Sequence, residues 1–314
     1  MQHELTPEAI QLAYSKISPH IRKTPVLHSN GLEFGLGNFP LTLKLEHTQH
    51  SGSFKARGAF AHLATRVLPA AGVAAASGGN HGAAVAYAAS QLNVPAHIFV
   101  PTVSSPAKID RIKRSGAQLT VGGDRYADAL AASETFAAQT NAMQIHAFEQ
   151  RETILGQGTL ALELEQQAPD IDTVLVAVGG GGLIAGIASW YRGRVRIIAV
   201  EPTLAPTLND AIRAGEPVDA PAGGVAADSL APRRIGVTAF AMATSFVDRV
   251  VLVEDADIIR AQATLWDKAR IAAEPGGATA MAALLSGAYV PRADERVAVI
   301  VCGGNTTTLP GLAP

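Results

Sequence analysis

Two hydrophobic periodicities alternate along this chain. Short apolar runs typical of buried strands are separated by longer stretches in which apolar residues recur about every third or fourth position, as in amphipathic helices. Strands are predicted over residues 41–46, 73–76, 94–100, 118–121, 143–148, 173–178, 194–200, 247–253 and 296–301. Helices are predicted over residues 6–17, 54–68, 83–92, 105–116, 127–139, 153–167, 183–191, 256–270 and 277–286.

Strands separated by helices indicate parallel sheets with helices on both faces. Thr6-Pro7 and Ser105-Pro106 place a hydroxyl N-cap before a proline, which marks two of the helix starts. The strand–helix units fall into two groups along the chain. The pattern therefore predicts an α/β fold of two domains with parallel-rich open sheets. The large domain comprises residues 1–69 and 149–314, and the small domain, residues 70–148, is inserted in it.

Composition narrows the function classes. The 314 residues are 48% hydrophobic and 17% charged, which excludes a disordered chain. The 25 Lys and Arg against 27 Asp and Glu give no basic excess, so we expect no nucleic-acid partner. No apolar run approaches the ~20 residues of a membrane helix, and the first residues lack the layout of a signal peptide. A single cysteine cannot form an internal disulfide, so we expect a cytoplasmic protein with a small-molecule ligand.

Glycine clusters at 77–82, 179–182 and 303–304 follow predicted strands, at the edge where open α/β sheets bind ligands. The cluster at 179–182 also begins a helix, whose free N–H groups and dipole attract an anion such as a phosphate. Two alternatives stay open. One is a tight turn without a ligand. The other is an NAD site with Glu201 on the ribose, although the G-x-G-x-x-G spacing is poorly met.

Lys55 lies beside Phe54 at a predicted helix start. Most lysines are solvated surface groups, and periodicity alone does not favour Lys55 over Lys44. A buried lysine of lowered pKa together with a phosphate cradle is what an aldehyde cofactor with a phosphate requires, and pyridoxal phosphate (PLP) is that cofactor. The loop at 77–82, SGGNHG, suits a carboxylate, with an ordinary capped turn as the alternative.

Seven motifs between Thr24 and Asn305 carry a resemblance to a known family: SGSFKARGA, SGGNHG, GQGT, VGGGGLIAG, Glu201-Pro202, Glu274-Pro275 and CGGN. The chain resembles the fold type II PLP-dependent enzymes, which have a tryptophan synthase β-like fold. It is most similar to the serine/threonine dehydratase and serine racemase branch. No single motif is specific, but their combination is.

The resemblance implies roles for the cofactor-binding residues. Lys55 would form the Schiff base with PLP and later remove the substrate α-proton, and Phe54 would pack against the cofactor. Cys302 would meet the pyridine nitrogen, and a neutral thiol there would favour prompt loss of a β-leaving group. The phosphate would be bound by backbone N–H groups of Gly179, Gly180, Gly181 and Gly182.

The resemblance also implies the substrate site. Asn80 would approach the cofactor's ring hydroxyl, and Ser77, Asn80 and His81 would hold the substrate carboxylate. Gly78 stands where racemases of this branch carry a serine that acts on the opposite face, so dedicated racemase activity is not expected.

Two further departures concern metal and regulation. Glu201 matches one metal-ligating acid of the family, but the second position is Thr207, with Asp210 nearby, so a site for Mg²⁺ or Ca²⁺ is doubtful. The sequence ends at Pro314, so we expect no C-terminal regulatory domain of the kind that biosynthetic threonine dehydratases carry.

The expected function is that of a PLP-dependent ammonia-lyase that converts L-threonine or L-serine to the 2-oxo acid and ammonia, as a homodimer. The alternatives are a dehydratase for hydroxyaspartate or phenylserine, a serine racemase and, from another class, an NAD-dependent oxidoreductase.

Overall fold

The computed structural model describes residues 5–104 and 106–308. The strands are β1 Val26–Asn30, β2 Pro40–Lys44, β3 Val73–Ala76, β4 Ala96–Val100, β5 Gln118–Val121, β6 Met143–Gln144, β7 Thr173–Ala177, β8 Arg196–Pro202, β9 Arg249–Val253 and β10 Val297–Ile300. The helices are α1 Pro7–Ile17, α2 Lys55–Thr65, α3 Asn80–Gln91, α4 Pro106–Arg114, α5 Tyr126–Thr140, α6 Arg151–Gln167, α7 Gly182–Tyr191, α8 Thr207–Ala214, α9 Ala227–Leu230, α10 Val237–Phe246, α11 Asp255–Ala269 and α12 Pro275–Ser286. Short 3₁₀ helices cover Gly31–Phe34, Glu46–Thr48 and His50–Gly52.

The strands form two sheets. The larger has the order β1-β2-β10-β7-β8-β9, and the smaller has the order β5-β4-β3-β6. Every neighbouring pair is parallel except β1 with β2, which are antiparallel. The predicted α/β fold with parallel-rich sheets flanked by helices is confirmed. The carboxyl ends of β7, β8 and β10 lie along one edge, and this edge carries the candidate site.

Each sheet has its own hydrophobic core. The larger core is centred on β7 and on α7, whose residues are all buried, including Trp190 and Tyr191. The smaller core is built largely from alanines of α2 and α3, whose short side chains let the two helices pack closely. Because α2 contacts both α3 and α6, it joins the two parts. The division into a large domain (1–69, 149–314) and a small domain (70–148) stays a prediction.

Local signals located most elements to within a few residues. The Thr6 side chain caps α1 as predicted, accepting a hydrogen bond from the Ala9 N–H at 3.2 Å. The other predicted cap, Ser105, lies outside the described residues. Five of the strands and α-helices differ from the prediction by more than a few residues. Edge strand β1 and helices α8, α9 and α10 were not predicted, and β6 ends at Gln144 rather than at residue 148. No helix among the described residues has the length and hydropathy to span a membrane.

A cluster of four charged side chains lies within the larger part, just behind the start of α2. Lys44, Glu46, Arg57 and Glu163 are all fully buried. The Arg57 guanidinium donates to Glu46 Oε1 at 2.7 Å and to Glu163 Oε2 at 2.8 Å, and Lys44 Nζ donates to Glu163 Oε2 at 3.0 Å. Two positive charges thus meet two negative charges, and the cluster ties α2 to β2 and α6.

Replacing one member of this cluster leaves a buried charge without its partner. We expect Arg57→Met to lower the free energy of unfolding by roughly 3–5 kcal/mol, because Glu46 and Glu163 lose their guanidinium in a site without water. Chemical denaturation measures this loss. Arg114→Met, at an exposed position of α4, serves as the control and should change stability by less than about 0.5 kcal/mol. A comparable effect of both substitutions would contradict the proposed importance of the cluster.

Candidate active site

The tetraglycine loop, Gly179 to Gly182, connects β7 to α7 at the carboxyl edge of the larger sheet. Gly181 has φ +86°, a left-handed conformation that a side chain disfavours. A Cβ added to Gly180 would overlap the Phe148 ring, so the chain there has room only for bare backbone. The loop is thus held in a shape that exposes main-chain N–H groups rather than side chains.

The loop fits a phosphate. Residue 181, the N-cap of α7, makes no side-chain capping hydrogen bond. The N–H groups of residues 180–184 have no hydrogen-bond acceptor within residues 5–104 and 106–308. Free N–H groups at a helix start, reinforced by the dipole of α7, form an anion site. The donor set therefore suits a terminal phosphate group, and phosphate binding by this loop stays a prediction.

Lys55 is the first residue of α2 and lies near this loop. Its Nζ donates to the Ala147 carbonyl at 2.8 Å and lies 5.1 Å from the centre of the Phe54 ring. Burial lowers the pKa of Lys55 to about 8. An amine with that pKa is about one-tenth neutral at pH 7, which is the form that attacks an aldehyde or accepts a proton.

Lys44, which periodicity could not distinguish from Lys55, has a different environment. Its Nζ donates to the Glu163 carboxylate at 3.0 Å, to the Thr24 carbonyl at 2.8 Å and to Gln167 Oε1 at 2.8 Å. These three bonds use all three ammonium protons, and the side chain is fully buried. Lys44 is therefore a structural cation, and Lys55 is the available amine.

Asn80 is the first residue of α3, and hydrogen bonds hold its side chain on both sides. Its Nδ2 donates to Glu274 Oε1 at 2.5 Å, and its Oδ1 accepts from Asn305 Nδ2 at 2.6 Å. Burial raises the pKa of Glu274. The second Nδ2 hydrogen of Asn80 remains for a ligand, and the pairing across 194 residues joins the smaller part to the larger.

Cys302 follows β10, and its thiol is buried. Its Sγ donates to the Gly276 carbonyl at 3.4 Å, and burial raises the pKa of the thiol. Its carbonyl accepts from the Phe54 N–H at 3.1 Å, which fixes Cys302 beside the start of α2. A neutral thiol at this position can accept or donate a weak hydrogen bond but supplies no negative charge.

The side chains of Ser77 and His81 both make hydrogen bonds to backbone groups within the smaller part. Ser77 Oγ accepts from the Gly79 N–H at 3.1 Å, and His81 Nε2 donates to the Ile145 carbonyl at 3.0 Å. Burial lowers the pKa of His81 to about 3, so its imidazole is neutral. A Cβ added to Gly78 would overlap the Ser104 hydroxyl. Their role toward a substrate carboxylate stays a prediction, in which Asn80 and the N–H groups of the loop are the available donors.

The segment from His146 to Glu149 contacts both Lys55 and the tetraglycine loop, although the sequence predicts a strand over residues 143–148. The Ala147 carbonyl accepts a hydrogen bond from the Lys55 ammonium, and the Phe148 ring packs against Gly180. Glu149 Oε1 accepts from the Thr238 N–H at 2.8 Å at the start of α10. The sequence signal for this segment is its place at the end of the predicted strand 143–148, shortly before the GQGT motif.

Glu201 lies at the end of β8, as predicted, and caps the start of α8. Its carboxylate accepts from the N–H groups of Leu208 at 2.7 Å and Asn209 at 2.8 Å. Burial raises the pKa of Glu201 to about 7, and the side chain is too deeply buried to reach a ribose. The part of the chain that the structure describes holds no cluster of three or more His, Cys, Asp or Glu side chains suited to a metal ion. A divalent-cation site at Glu201 stays a prediction.

Comparison with known proteins agrees with this geometry. Residues 17–303 match the family described as pyridoxal-phosphate dependent enzyme. The L-threonine ammonia-lyase of Geobacter sulfurreducens is 36% identical over 301 residues, which cover 94% of this chain and 74% of that protein. The phenylserine dehydratase of Ralstonia pickettii is 34% identical over 297 residues, which cover 93% and 90%. The structure of maize serine racemase superposes with a TM-score of 0.89 at 32% identity, covering 96% of this chain and 94% of that one.

The packing of the tetraglycine loop gives a direct test of the phosphate site. We expect Gly180→Ala to weaken PLP binding by at least about tenfold, because the added methyl group must displace the Phe148 ring or the loop. Absorbance titration with PLP measures the Kd. Gly122→Ala is the matched control, since an added Cβ there meets nothing within 4 Å, and it should leave the Kd unchanged. Equal affinities for the two variants would place the phosphate elsewhere.

Proposed function

This chain belongs to the pyridoxal-phosphate dependent enzyme family, and we propose that it is a PLP-dependent lyase that converts L-threonine or L-serine to the 2-oxo acid and ammonia. The observation that carries the proposal is the environment of Lys55. Its amine has a pKa lowered to about 8, and its hydrogen-bond partner Ala147 adjoins Phe148, which packs on the tetraglycine loop. An amine and an anion cradle linked in this way suit a phosphorylated aldehyde.

PLP, when bound, supplies the aldehyde that takes up amino groups and a conjugated ring that withdraws electrons from the α-carbon. Gly179 to Gly182 and the first turn of α7 would bind the phosphate, and Lys55 would hold the aldehyde end. The neutral Lys55 amine would also be the base that accepts the substrate α-proton. Its lowered pKa places a useful fraction in the accepting form near neutral pH.

The loop at 77–82 would orient the substrate. The loop N–H groups and Asn80 would bind the carboxylate, and the β-hydroxyl would leave as water with the proton that Lys55 takes from the α-carbon. Cys302 would supply a neutral thiol to the pyridine nitrogen, and a neutral thiol would not stabilise a positive ring. A ring without that charge is a weaker electron sink. This favours prompt expulsion of a β-leaving group over a long-lived carbanion.

Three alternatives stay within the family. A racemase needs an acid or base on the second face of the substrate, and Gly78 offers neither. The phenylserine dehydratase of Ralstonia pickettii supports a larger β-substituent, and hydroxyaspartate would be a charged one. An NAD-dependent oxidoreductase is not supported, since Glu201 caps α8 and the family match is to PLP enzymes.

The proposal extends to assembly and location. We infer a homodimer in the cytoplasm, with an amino acid as the small-molecule partner. A Mg²⁺ or Ca²⁺ ion at Glu201 would have one carboxylate, a carbonyl and water as ligands, so such a site would be weak.

Loss of the Lys55 amine should abolish turnover. We expect Lys55→Ala to lower kcat by at least about 1,000-fold, because both the attachment point of the cofactor and the base are removed. Release of 2-oxo acid measures the rate. Lys113→Ala, an exposed lysine of α4, is the control and should keep full activity. A Lys55→Ala variant that retains its rate would refute the assignment.

A substrate panel tests the reaction itself. With PLP added, we expect purified protein to release a 2-oxo acid from L-threonine or L-serine faster than from threo-3-hydroxyaspartate or phenylserine. The β-hydroxyl is the leaving group of each substrate, and the four substrates differ only in the other substituent on the β-carbon. Silence on all four substrates with PLP bound would exclude the lyase reaction. Inversion with solvent deuterium at the α-carbon would instead identify a racemase.

A further inference from the structure

The turn from His146 to Glu149, here called the connecting turn, touches both halves of the proposed cofactor site. Its Ala147 carbonyl accepts the hydrogen bond of Lys55 at 2.8 Å, and its Phe148 ring packs against Gly180. Its Glu149 carboxylate caps α10 through the Thr238 N–H at 2.8 Å. The backbone just before α10 also reaches the tetraglycine loop, since the Gly236 N–H donates to the Gly180 carbonyl at 3.2 Å. A shift of this turn would therefore move the partner of the amine and the packing of the phosphate loop together.

His146 holds the connecting turn in shape. Its Nδ1 accepts hydrogen bonds from the N–H groups of Phe148 at 3.3 Å and Glu149 at 3.1 Å. Two donors aimed at one ring nitrogen require a free lone pair, which assigns the proton to Nε2. The ring also meets the Phe148 ring edge-on, with centroids 4.7 Å apart at 84°. One imidazole thus fixes the three residues that follow it.

We propose that His146 is a positioning residue that couples Lys55 to the tetraglycine loop through the connecting turn. The inference rests on the proposed cofactor site, but it concerns only this chain's own residues. His146 touches neither the amine nor the loop itself, and it acts through Ala147, Phe148 and Glu149.

The coupling carries a pH dependence, because a protonated Nδ1 donates rather than accepts and repels both N–H groups. Burial, and then the Lys55 charge, lower the pKa of His146, whereas Glu149 and Glu134 of α5 oppose the shift. His81 also lies near His146, and its imidazole is neutral. Since the pKa of His146 in the folded chain lies below its ordinary value of about 6.5, the turn is stable above that pH and weakens as the pH falls.

Two variants separate positioning from simple structural support. His146→Ala removes the acceptor, and His146→Asn retains an oxygen near the place of Nδ1 but cannot be protonated there. His28→Ala, at an exposed position of β1, is the control. The full-length protein, freed of PLP, is titrated with inorganic phosphate to probe the loop and with PLP to probe Lys55 and the loop together. Absorbance and competition give the two Kd values across the acid pH range.

We expect His146→Ala to weaken both phosphate and PLP binding by about tenfold, the effect of losing one to two hydrogen bonds. His146→Asn should retain both affinities at neutral pH and show a smaller loss of affinity than the wild-type protein as the pH falls below the ordinary imidazole pKa of about 6.5. His28→Ala should match the wild-type protein throughout.

Several outcomes would overturn the coupling. One is an unchanged phosphate Kd in His146→Ala, since the turn would then serve Lys55 alone. Another is an acid-side decline in His146→Asn equal to that of the wild-type protein. If His146→Ala does not fold, the pH dependence of phosphate and PLP binding by His146→Asn still tests the coupling. Wild-type protein that binds phosphate but not PLP would refute the proposed function, and the phosphate measurements would still test the coupling to the loop.

Discussion

The charge balance around the start of α2 is the constraint on which the rest of the site depends. Arg57 and Lys44 are matched by Glu46 and Glu163 in a buried cluster of two positive and two negative side chains. Lys55, two residues before Arg57, instead meets the neutral Ala147 carbonyl. A carboxylate in that place would hold the amine protonated, since an opposite charge raises a lysine pKa. Because Ala147 offers only a neutral carbonyl, burial lowers the pKa of Lys55 to about 8 against the opposing charge of Glu274.

The same logic extends to the other buried polar groups. Burial keeps the Cys302 thiol neutral, raises the pKa of Glu274 and lowers the pKa of His81 to about 3. The surroundings of the proposed ring are therefore weakly charged, whereas the phosphate loop offers N–H groups and the positive end of a helix dipole. A site of this kind would bind PLP by its phosphate and would leave the ring close to neutral. That state fits elimination better than reactions that must hold a carbanion.

Two departures from the predicted elements show where local reasoning stops. The apolar and polar alternation over residues 143–148 favours a strand to residue 148. The strand β6 ends at Gln144, where the Gln150 side chain accepts the His146 N–H at 2.7 Å and the backbone turns. Strand β1 has little apolar alternation, and it exists because it pairs with β2 along five residues at the edge of the sheet. In both cases a contact outside the segment decides its conformation.

The sequence by itself determined the alternating architecture, the glycine loops at strand ends and the amine and anion chemistry that together imply PLP. Those features are local, because hydrophobic periodicity, helix capping and the conformational freedom of glycine each depend on residues only a few positions apart. The motif resemblance pointed to Lys55, but only the tertiary structure showed why its amine is available, since Lys55 and its partner Ala147 are 92 residues apart. It alone placed Glu274 beside Asn80, assigned Glu201 to the cap of α8 and brought the turn at His146 into the site. Such contacts join residues that are far apart along the chain, so no local sequence pattern predicts them.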